Sequence, residues 1–268
     1  MRKNLLKSLV AGAAILAASA SANAYVMNIG GTDYTFDSID WSSGGSAWSA
    51  DYRKADGSRA DVGHVFNMAF QSTAAALLLG NQAVYTFDAS SPFELTLFAS
   101  VNETVAVDIP VVGTQMFVMN YGTWSVYQDA AKNANLLTGA GIADGTKVLG
   151  GSFAPGFSGG FTATDATSGS GSQALLGSVD AAPFGLVDPH PSATVAVSTL
   201  QLGSFVTAAL PTGFSNGIDG GTNAAFNSGD ITQLVMQLDA NQRFVPEPAS
   251  MALLGLGMAG MAALRRRK

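Results

Sequence analysis

Residues 92–109, PFELTLFASVNETVAVDI, alternate with the period of a β-strand. Phe93, Leu95, Leu97, Ala99 and Val101 share one face, and Val105, Val107 and Ile109 keep the same odd-numbered phase. Side chains two residues apart lie on one side of a strand, so this pattern predicts a half-buried strand. Glu103 interrupts the apolar phase. One long strand fits, and so does a hairpin turning at Asn102-Glu103.

TQMFVMN, TWSVYQD, SATVAVSTLQLGSF and DITQLVMQLDANQRF read in the same way. In the third of these the apolar phase moves from Val195 and Val197 to Leu200 and Leu202, a one-residue slip that predicts a bulge or tight turn. QSTAAALLL, residues 71–79, is the exception and is expected to be a short helix. Turn signals separate the runs: SSGGS (42–46), ADG (55–57), GAGIADGT (139–146), SGSGS (168–172) and NGIDGGTN (216–223). Many short strands between such turns predict an all-β domain of sandwich or jelly-roll-like form. No linker splits it, so one domain is expected, with residues 150–171 as a long loop.

The two ends differ from this body. Arg2, Lys3 and Lys7 precede an apolar, Ala-rich run, and SASANA follows, with Ala22 and Ala24 at small-residue positions. Basic, apolar and small-residue regions in that order make a secretory signal peptide, with cleavage expected between Ala24 and Tyr25. That assigns residues 1–24 to signal peptidase and the export machinery. At the other end, residues 249–264 carry no charge, and Arg265, Arg266, Arg267 and Lys268 close the chain. Sixteen helical residues span roughly 24 Å, a little short of a ~30 Å hydrocarbon core. Cationic ends stay on the cytoplasmic side, which places the body outside.

Residues 25–245 hold six of the 13 basic residues and 18 of the 19 acids, a balance of −12. An acidic body lacks the cations that nucleic-acid backbones require. With no cysteine there is no thiol nucleophile, no Cys metal site and no disulfide.

Candidate chemistry in the body is sparse. GFSGG (156–160) matches G-x-S-x-G with Ser158 as nucleophile, but its flanks promise neither the strand nor the helix of a nucleophile elbow. The two histidines, His64 and His190, read as neutral surface residues, and no H-E-x-x-H pattern exists. Asp129, Asn133 and Asn135 form one oxygen-rich group and Asn216, Asp219 and Asn223 another. Ca²⁺ takes such ligands, but Asp and Asn also populate turns for backbone reasons, so no metal ligand is assigned. Trp41, Trp48 and Trp124 suit either a sugar-stacking platform or a core, and core packing is preferred. The expectation is a protein that is not an enzyme and needs no cofactor, with Ca²⁺ as the one open option.

The order Pro246-Glu247-Pro248, apolar span, basic cluster resembles the PEP-CTERM sorting signal of Gram-negative bacteria. The resemblance covers residues 246–268. It implies recognition by a membrane-embedded exosortase, transient anchoring in the inner membrane, removal of the tail near the Pro-Glu-Pro, and release to the cell surface or beyond. FDSIDWSSGGSAW, SPFELTLFASVNETV and WSVYQDAAKNANLLTGAGIADGTKVLGG look similar to the PEP-CTERM group associated with flocculation. That resemblance implies a structural role in an exopolysaccharide matrix, in biofilm or flocs. The alternative is an extracellular carbohydrate- or calcium-binding module.

Overall fold

The computed structural model describes residues 25–164, 169–180, 187–188, 197–202, 211–227 and 229–245. The expected all-β class is present. Thirteen strands are described: β1 (Tyr25–Ile29), β2 (Thr32–Phe36), β3 (Ser38–Ala50), β4 (Val65–Leu79), β5 (Gln82–Thr86), β6 (Glu94–Ile109), β7 (Thr114–Asp129), β8 (Thr146–Phe153), β9 (Gly156–Ala163), β10 (Gly169–Ser178), β11 (Val187–Asp188), β12 (Val197–Leu202) and β13 (Leu234–Val245).

Pairing follows chain order and returns to its start. β3 pairs with β4, β4 with β6, β6 with β7, and β7 with both β8 and β9. β10 pairs with β8, β9 and β12; β12 pairs with β13, and β13 pairs with β3. Every pairing is antiparallel. Of the ten strands in this sheet, β5 lies off the path, and β8 and β9 run end to end along β7 as one stave. The result among the described residues is an up-and-down barrel of eight staves. A sheet closed on itself encloses a core as two facing sheets do, with no free edge to cover.

β8 and β9 are separated at Ala154-Pro155 because proline has no N–H for the ladder. The Ala154 N–H still donates to Leu176 O at 2.7 Å, so β10 bridges the break. The alternation predicted for β6 is real, and its odd-numbered face points inward: Leu95, Leu97, Ala99, Val101 and Val105 are each 2% exposed or less. No hairpin forms at Asn102-Glu103. The register shifts there by one residue against β7, and a second shift at Val105/Val107 turns Val107 and Ile109 outward. Residues 71–79 are strand, not helix. Their Ala-rich face lies within β4, where pairing with β3, β5 and β6 outweighs helix propensity.

The expected loop at 150–171 is instead β8, β9 and the start of β10; residues 165–168 lie outside the described set. Its glycines serve close strand packing. A Cβ on Gly159, whose φ is 146°, would run into Ser172 O, and one on Gly160 would sit 2.7 Å from Gln115 O. β12 pairs on both sides without a register shift, so the predicted slip is absent from residues 197–202.

An eight-staved barrel leaves an interior just wide enough for side chains. Here Trp41, Phe66, Phe70, Phe117 and Trp124 fill it. The β1–β2 hairpin closes one mouth with Tyr25, Met27, Ile29 and Phe36, all buried in the same core. A second cluster lies on the outer face of β3 and β4, where Phe214 and Phe226 pack on Trp48. Gln71 fastens that cover: its amide N–H groups face Ser46 Oγ and Leu136 O at 3.1 Å each, and its Oε1 accepts the Ser215 N–H at 2.9 Å.

Candidate functional site

Among the described residues, Glu103 is the one acidic or basic side chain that is fully buried. It occupies the inward phase of β6 and is fully buried. Gln173 of β10 donates from Nε2 to Glu103 Oε2 at 2.8 Å. Ser158 of β9 also hydrogen-bonds the carboxyl, and its hydroxyl lies 3.3 Å from Phe117 O. Burial pushes the Glu103 pKa up to about 7, and the Ser158 and Gln173 bonds oppose that shift. Glu103 Oε1 and Gln173 Oε1 have no partner among the described residues. A buried carboxyl oxygen without a donor favours the protonated form, in which the carboxyl can itself donate.

Ser158 is 1% exposed, and its described partners are a main-chain carbonyl and a carboxyl, with no imidazole between them. The nearby pocket between Met68, Phe117, Phe161, Gln173, Met236 and Leu238 measures ≈ 30 Å³, room for a water and not for a substrate. In the sequence Glu103 shows only as a break in the alternation of residues 92–109. A charged residue in the apolar phase of a long strand was the available signal for a buried carboxyl.

His64 bonds Asp51 O through Nε2 at 2.6 Å, and no group of three His, Cys, Asp or Glu side chains gathers among the described residues. His190 lies outside them. Asp129, Asn135, Asn216, Asp219 and Asn223 each accept N–H groups two or three residues onward, the turn geometry expected of Asp and Asn. Asn133 donates to Asp144 Oδ2 at 3.0 Å. Trp41, Trp48 and Trp124 are 1%, 4% and 1% exposed, so none offers a ring face to a sugar.

The outside of β7, β9 and β10 is more open. A trough of ≈ 450 Å³ runs along Thr114, Met116, Thr162, Ser170 and Ser172, with glycine backbone as its floor. Thr114 and Thr162 hydroxyls meet at 2.9 Å, and the Phe157 ring is 63% exposed beside them.

Both ends of the described barrel meet at the mouth closed by the β1–β2 hairpin. Tyr25 begins β1 and Val245 ends β13. Both connect there through Phe244, whose ring meets those of Tyr25 and Phe36 at 5.6 and 6.1 Å. Ala24, Pro246, Glu247, Pro248 and Arg265, Arg266, Arg267 and Lys268 lie outside the described residues, as does the whole apolar span. Among the described residues no helix is long and apolar enough to cross a membrane.

In the sequence this closed, acidic barrel is followed at once by a Pro-Glu-Pro, an apolar span and a basic end. Residues 244–268 match the sequence model of the PEP-CTERM protein-sorting motif, so the chain carries that sorting motif at its C-terminal end. The motif implies export, transient membrane anchoring and processing by exosortase before cell-surface or extracellular placement. No curated protein and no solved structure matches the chain significantly.

Proposed function

We propose that residues 25–245 act, after the signal peptide and tail are removed, as a non-enzymatic structural protein of an exopolysaccharide matrix that promotes flocculation or biofilm formation. The observation that carries this reading is the joint between β13 and the sorting motif: the object delivered by sorting is the barrel itself. The packed interior, with a pocket of ≈ 30 Å³ beside Gln173, supports a role carried by the outer surface. The similarity of the body to the flocculation-associated group points the same way. Deleting the gene and measuring floc size and attached biomass tests it. Loss of both, restored by the intact gene, is expected; unchanged aggregation would refute the reading.

A second reading, a carbohydrate-binding module, is favoured by the trough on β7, β9 and β10. An exposed ring beside a row of hydroxyls offers an apolar face and hydrogen bonds to a sugar. It also contains no ionisable side chain. Calorimetry of the exported barrel with purified exopolysaccharide separates the readings: binding that Phe157→Ala abolishes favours the module.

A further inference from the structure

The last stave overlaps the first two residues of the matched sorting motif. β13 runs to Val245, and Pro246 is the next residue. Neighbours hold the stave to its end. Val245 pairs with Val197 and Phe244 with Ser198, while Arg243 pairs with Ser38 on the other side. The Phe244 N–H donates to Asp37 O at 2.8 Å. Phe244 is 3% exposed, and its ring lies among Tyr25, Phe36 and Trp124.

On the far side, three residues separate Val245 from the apolar residues 249–264. Fully extended, they reach at most about 10 Å. The headgroup layer on one side of a bilayer takes up roughly 5–8 Å of that. An inserted apolar span would therefore hold the mouth with Phe244 at the headgroups, and Val245 is itself in the ladder, so no slack chain precedes Pro246. An enzyme that takes an extended peptide offers main-chain partners to it. Those of Phe244 and Val245 are already engaged within the barrel.

We propose that β13 controls processing: exosortase acts on chains in which the C-terminal end of β13 has left the barrel, before closure or by local opening, and the closed barrel holds processing back. Folding of the exported domain and removal of its tail are then competing events at one mouth. The proposal rests on the exosortase reading of the sorting motif.

Pulse-chase in an exosortase-positive host, with the tailed and shortened forms resolved by intact mass, tests this. One variant inserts Gly-Ser-Gly-Ser-Gly-Ser between Val245 and Pro246. A second, Asp40→Cys with Asn241→Cys, ties a directly paired position of β3 and β13 together, with the disulfide verified by thiol titration. The insertion is expected to speed shortening about tenfold and the disulfide to slow it by a similar factor. Combining them is expected to restore shortening, because the insertion frees the motif while the stave stays locked. Equal rates in the unmodified chain, the insertion and the locked variant would overturn the proposal and leave the exosortase reading standing. No shortening of any variant would overturn both.

Discussion

The ring of Tyr25 meets the ring of Phe244 edge-on, with centroids 5.6 Å apart. One begins the first strand and the other stands one residue from the end of the last, so a single contact joins both ends of the folded chain at one mouth. The geometry is the favourable one for aromatic pairs, and both rings are buried.

Truncating Phe244 to Ala removes a ring packed on Tyr25, Phe36 and Trp124 at once. The expected cost is about 3–5 kcal/mol in urea unfolding of residues 25–245. A loss below about 1 kcal/mol would mean that the mouth is not packed as described.

Glu103 makes stability depend on pH. Its folded pKa is about 7 against a reference of 4.5, so the folded barrel binds the proton more tightly than the unfolded chain. Its contribution is fully present below about 4.5 and is lost as pH rises through 7. The difference is about 3 kcal/mol. Glu103→Gln is expected to flatten the stability profile across that window. A profile equally steep in the variant would assign the dependence to other groups.

Ser158→Ala removes a hydrogen bond that favours the charged form of Glu103. The carboxyl is expected to titrate at still higher pH, followed by the carbon signal of the side chain in NMR, while matrix phenotypes stay unchanged. Loss of a hydrolytic activity in this variant would instead make Ser158 a catalytic residue.

Gln71→Leu leaves the Ser215 N–H and Leu136 O without the partner that ties them to β4. A loss of about 2–4 kcal/mol is expected. Limited proteolysis is expected to cut first within residues 211–227. Cleavage elsewhere, at the unmodified rate in that segment, would contradict the latch.

Strand existence was legible because alternation is a local property. The phase that brings Leu95, Leu97, Ala99 and Val101 together is printed in the sequence and survives in β6. Closure was not legible, because it depends on β13 meeting β3 nearly two hundred residues away, a contact with no local signature. The helix expected at residues 71–79 failed for a related reason. Alanine and leucine favour a helix only while no neighbouring strand claims their backbone, and here both edges are claimed. The Gly- and Ser-rich run at 150–171 resembles a loop, yet those residues are what permits β7, β9 and β10 to approach so closely. At the site, the sorting motif was readable because a processing signal is recognised as sequence. Glu103, Gln173 and Ser158 come from three separate strands, and only the fold unites them.

Intact-mass measurement of the secreted protein shows whether the tail is removed. A species that begins at Tyr25 and ends near Pro246-Glu247-Pro248, lacking residues 249–268, is the predicted product in a host with exosortase. A secreted or surface form that keeps Arg265, Arg266, Arg267 and Lys268 in such a host would contradict it.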